Sequence, residues 1–151
     1  MQHFYELFQF ILLSYFYSLL LKSKTQLYTI YLILIILPVF LLSGYLLNPT
    51  LFFEYNLIES YLTTIPLIIY ATMYLYNNLG EKSRFYYINL GLLFYLFTST
   101  FIFLLYKLIT VLNLDVFSDV MIDLNIVLQY IKFGFFIYQW KLIYFNKNEY
   151  N

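Results

Sequence analysis

Five long apolar stretches dominate this chain, and nothing else in it limits the fold so strongly. They run near Phe4–Leu21, Leu27–Leu47, Leu57–Tyr76, Tyr86–Ile109 and Ile122–Tyr144. Each is close to the roughly 20 residues that an α-helix needs to cross about 30 Å of hydrocarbon. In lipid a backbone must satisfy its own N–H and C=O groups, which leaves helices or a closed barrel. A barrel would show alternating strands of about ten residues, whereas these runs are continuous. The expectation is an all-α polytopic membrane helical bundle of about five transmembrane helices. It would form a single transmembrane domain over residues 1–151.

Composition agrees. Hydrophobic residues make up 63% of the chain and charged residues 11%, where soluble domains run nearer half and a quarter. A soluble globule of this length leaves too much of its surface in water to hide such a content. The formal net charge is zero, so nucleic acid is not an expected partner. Absence of cysteine excludes disulfides, thiol catalysis and thiolate metal sites. The 19 tyrosines and 17 phenylalanines stand beside one arginine, Arg84, and one alanine, Ala71. That skew reads as a low-GC genome, bacterial or organellar. The first span has neither a basic region before it nor a small-residue cleavage site after it, so it is not read as a signal peptide.

Pro38 and Pro66 fall inside the second and third spans and predict kinks. Gly44, Gly91 and Gly134 are isolated and form no GxxxG motif.

The basic residues sort by connector. Lys22 and Lys24 separate spans one and two, Lys82 and Arg84 separate three and four, and Lys141 and Lys147 lie at the C-terminal end. The second connector carries Glu54, and the fourth carries Asp115 and Asp119 with Lys107 at its edge. With five alternating helices the positive-inside rule places the N-terminus outside and the C-terminus in the cytoplasm. An outer N-terminus without a cleaved signal is what a chain lacking upstream helices would show. Glu6 and Glu59 each open an apolar run followed by a basic connector and a second run, the outline of a duplicated helix pair.

Ionisable residues inside a span are costly and are functional candidates by default. Asn125, Gln129, Lys132 and Gln139 share one helical stripe, as do Glu59, Thr63, Pro66 and Tyr70. Asn89 and Thr98, Ser99 and Thr100 add polar groups to span four. Two readings stay open. One is an outward-opening polar pocket of Glu6, Gln9, Glu59, Asn125, Gln129 and Lys132, with Glu59 and Lys132 as its charged pair. The other is interhelical hydrogen bonding of roughly 0.6 kcal/mol per bond. His3, the lone histidine, reads as solvated. Asp115, Asp119 and Asp123 would share a solvated acidic helix face rather than a metal site. Tyr15, Phe16, Tyr17, Phe85, Tyr86 and Tyr87 suit interfacial belts. No Ser/His/Asp set, phosphate loop or HExxH motif occurs, so neither enzyme chemistry nor a cofactor is expected.

The stretch Ile58-Glu59-Ser60, the helix end Met73-Tyr74-Leu75-Tyr76, the run Phe85 to Tyr95 continuing through Phe101-Ile102-Phe103-Leu104, and the close at Trp140-Lys141 carry a resemblance. They resemble a family of small, uncharacterised multi-span inner-membrane proteins of Bacteroidetes, often encoded near sensor kinases. The family has more N-terminal helices, and this chain departs from it at Thr98-Ser99-Thr100, where a glycine-containing turn is expected. The resemblance implies the bacterial inner membrane and no established activity. Three functions follow as expectations. The first is a non-enzymatic sensory or accessory module whose partners are the bilayer and another membrane protein or a second copy. The second is a small oligomeric channel or transporter. The third is an organelle-encoded respiratory-complex subunit.

Overall fold

The computed structural model describes residues 2–48, 57–79, 83–112 and 118–145. Five α-helices follow one another: α1 (Gln2–Leu20), α2 (Lys24–Leu47), α3 (Leu57–Asn77), α4 (Tyr86–Val111) and α5 (Ser118–Phe145). No strand occurs among the described residues. Glu54, Lys82, Asp115 and Lys147, used above to argue orientation or an acidic face, lie outside the described residues.

Three of the five helices, α2, α4 and α5, are long and apolar enough to cross a membrane. By length and composition, α1 and α3 do not count toward the five crossings expected. Both are of adequate length, 19 and 21 residues. However, α1 carries His3, Glu6, Gln9, Ser14 and Ser18, and α3 carries Glu59, Ser60, Thr63, Thr64 and Thr72. These residues dilute the apolar content that defines a span.

Local chemistry explains where the helices start and stop. Ser23 precedes α2 in an extended conformation, and beyond its end the Asn48 N–H still donates to the Gly44 carbonyl at 2.9 Å. Helix α2 continues through Pro38 and α3 through Pro66. Each proline removes one backbone donor. Hydroxyl groups fold back onto their own helices. Thr29 donates to the Thr25 carbonyl at 3.0 Å, Ser43 to Phe40 at 2.7 Å, Thr72 to Ile68 at 2.8 Å, Thr100 to Leu96 at 2.6 Å and Thr110 to Tyr106 at 2.9 Å. A hydroxyl closed on its own backbone needs no water, so it is tolerated on an apolar helix surface.

The domain expected over 1–151 comprises two compact units, residues 1–74 and 75–151. In the first, α1 packs on α2, and α3 joins through side chains. Helix α1 buries His3, Phe10, Ser14, Tyr17 and Ser18, while Phe4, Phe8, Leu12, Tyr15 and Leu19 stay exposed along the opposite stripe. Helix α3 buries Glu59, Ser60, Thr63, Leu67, Tyr70, Ala71 and Tyr74. The Tyr17 and Tyr70 rings meet tilted, centroids 6.1 Å apart.

The second unit is the α4–α5 pair. Gly91 sets its spacing, because a Cβ placed there would lie 2.7 Å from Phe135 Cβ. Only a hydrogen side chain allows the two backbones to come so near. The units differ in helix number, so the packing lends no support to a duplicated helix pair.

Candidate functional site

Four of the polar residues that weaken α1 and α3 as membrane spans pair across the two helices, His3 with Glu59 and Glu6 with Ser60. Glu59 stands in the first turn of α3, where the helix dipole favours a carboxylate. It is 1% exposed. His3 Nδ1, on α1, lies 2.5 Å from Glu59 Oε2. The Tyr45 hydroxyl, on α2, donates to the same oxygen and sits 3.0 Å from His3 Nδ1. A carboxylate only accepts, so with Glu59 ionised the proton of this contact belongs to His3. The His3 and Tyr45 rings meet edge to face, centroids 5.4 Å apart.

One turn along, the Ser60 hydroxyl donates to Glu6 Oε1 at 2.5 Å. The Thr63 hydroxyl donates to the Glu59 carbonyl at 3.0 Å and lies 3.1 Å from that of Ser60. Glu59 Oε1 is buried and has no hydrogen-bond partner among the described residues. A buried carboxylate oxygen left unsatisfied is expensive. The His3 and Tyr45 bonds to Oε2 are what keep this carboxylate inside.

His3 is therefore not solvated, as the sequence suggested, but buried. The lone histidine finds its partner on another helix, 56 residues away. Tyr45 and Ser60 also belong to the cluster and escaped the sequence reading. His3 had a signal, since it lies one helical turn before Glu6 on the same face. Tyr45 had none among 19 tyrosines.

The six residues expected to line a pocket divide between the units. Glu6 and Glu59 join the cluster just described, and Gln9 is half-buried on α1 without making any of its bonds. Asn125, Gln129 and Lys132 lie on α5 and face α4. Ser99 donates to Asn125 Oδ1 at 2.7 Å, and Gln129 Nε2 donates to the Tyr95 hydroxyl at 3.4 Å. The Lys132 ammonium lies 3.9 Å from the Tyr95 ring centroid. Gln139, on the same stripe, is fully buried and accepts the Tyr87 N–H at 2.9 Å. It thereby satisfies a first-turn donor of α4 that has no partner within its own helix. The polar stripe of α5 thus turns toward α4.

Asp119 and Asp123 are exposed at the start of α5. No group of three or more metal-ligating side chains occurs among the described residues. No protein-family model, curated protein or solved structure matches the chain.

Proposed function

We propose that this chain is an integral protein of the bacterial inner membrane. Its role is that of a non-enzymatic sensory or accessory module of a membrane complex. One observation carries the reading: large apolar side chains cover the outside while charged and polar ones are buried among the helices. His3, Glu59, Ser60, Thr63, Asn89, Ser99 and Gln139 are buried, whereas Phe4, Phe8, Ile35, Phe40, Phe97, Phe101, Ile137 and Trp140 are exposed. Such a surface is stable against hydrocarbon and not against water.

An outer N-terminus with Lys22, Lys24 and Arg84 on the cytoplasmic side requires α1 and α3 to cross as well as the three apolar helices. What supports their crossing is the mutual bonding of His3 with Glu59 and of Glu6 with Ser60, with an apolar stripe left on the outside of α1. Lys22, Lys24, Arg84 and Lys141 are exposed at the ends that this orientation assigns to the cytoplasm.

Reporter fusions test the topology. A fusion after residue 145 is expected to be active only with a cytoplasmic reporter, and one between 49 and 56 only with an external reporter. The opposite pattern overturns the orientation. Purification in mild detergent tests the accessory role, which is lost if the chain runs as a lone monomer.

A second reading, a small oligomeric transporter, is favoured by the buried His3, Tyr45 and Glu59 cluster, since ionisable residues inside a membrane mark ion and proton paths. It predicts flux in liposomes that falls on Glu59→Gln.

A further inference from the structure

Lys132 is the residue least compensated by its own surroundings. Helix α5 has 28 residues, and Lys132 stands at its centre. At about 1.5 Å per residue, roughly 20 Å separate it from either end. A lysine side chain spans only a fraction of that distance, so its ammonium cannot snorkel to the headgroups.

Its neighbours soften the charge without cancelling it. The ammonium lies 3.9 Å from the Tyr95 ring centroid and 5.1 Å from that of Phe133. Aromatic faces attract a cation but carry no net charge. No carboxylate of its own unit lies within 4.0 Å of it among the described residues. Asp119 and Asp123, on the same helix, are exposed and about 20 and 14 Å away along the axis. Glu6 Oε1 and Glu59 Oε2 take their partners within the first unit. Gln129, one turn before Lys132, offers an amide beside it, and Asn125 lies one turn further.

A charge in mid-bilayer is retained where something pairs with it. We propose that Lys132 is the docking point for a helix of a partner membrane protein that carries a carboxylate at mid-bilayer depth. A second copy does not suit this position in a parallel arrangement, because it brings a second ammonium to the same depth. The proposal rests on the reading of α5 as a membrane span and deepens the accessory role by naming the chemistry of the partner.

The experiment uses the whole chain in phosphatidylcholine vesicles, with energy transfer to a synthetic polyleucine helix of about 20 residues. The synthetic helix carries a central Glu, Gln or Leu. The Glu helix is expected to associate at least about tenfold more tightly than the Gln or Leu helix. Lys132→Met is expected to abolish the preference and Lys132→Arg to keep it. A chain that inserts but binds the three helices equally overturns the docking site and leaves the membrane reading standing. A chain that fails to insert overturns both. The comparison among synthetic helices needs only the unaltered protein, so misfolding of a variant does not blunt it.

Discussion

The bond between His3 and Glu59 shows how two residues that are costly alone become tolerable together. A buried ion pair is weak evidence for stability, but removing one partner strands the other. His3→Ala is expected to lower stability by about 3–5 kcal/mol, read from unfolding in mixed micelles. Replacing both residues with leucine is expected to recover most of that loss. A double variant as unstable as the single one would show that the cluster does more than neutralise a charge. Little of this pairing could be read in advance. Glu59 was marked by its place in an apolar run, and Lys132 by its depth. His3 lay near a terminus, where a solvated side chain is the simplest reading, and its partners are 56 and 42 residues distant. Sequence spacing reports neighbours on one helix and is silent about neighbours on another.

The elements themselves were far more legible. Five apolar runs became five helices with boundaries shifted by only a few residues, because run length and helix rise are tied by backbone geometry. Crossing was less so, since α1 and α3 owe their polar content to contacts that only the fold displays. The helix pair α4–α5 depends on Gly91, whose missing side chain admits Phe135. Gly91→Val is expected to push the helices apart and cost about 1–3 kcal/mol, with loss of the Ser99–Asn125 hydrogen bond. A Cβ added at Gly44 would meet nothing within 4 Å, so Gly44→Ala is expected to stabilise α2 by about 0.5–1 kcal/mol. Thermal unfolding of the two variants in one detergent checks both signs. Equal effects would remove close approach as the role of Gly91.

At the scale of the molecule, the exposed apolar side chains are the surface that the proposed bilayer would cover. Trp140, the only tryptophan, is exposed and stacks on Tyr144, centroids 5.6 Å apart. It lies eight residues beyond Lys132, about 12 Å along the axis, near the edge of a hydrocarbon half-layer of about 15 Å. Its fluorescence is expected to be quenched best by lipids brominated high on the acyl chain, and least by lipids brominated at the chain end. The reverse order would displace α5 from its assigned depth.

The 56 residues between His3 and Glu59 also separate two moments in the synthesis of the chain. A ribosome finishes α1 well before α3 emerges, so His3 and Glu6 are made before the Glu59 and Ser60 groups that bond them. The Thr29 and Ser43 hydroxyls of α2 face no such delay, because their acceptors lie one turn back on the same helix. Synthesis therefore has a built-in order, in which the Thr29 and Ser43 bonds can close as α2 is made, while the cluster of His3, Glu6 and Tyr45 closes only when α3 arrives.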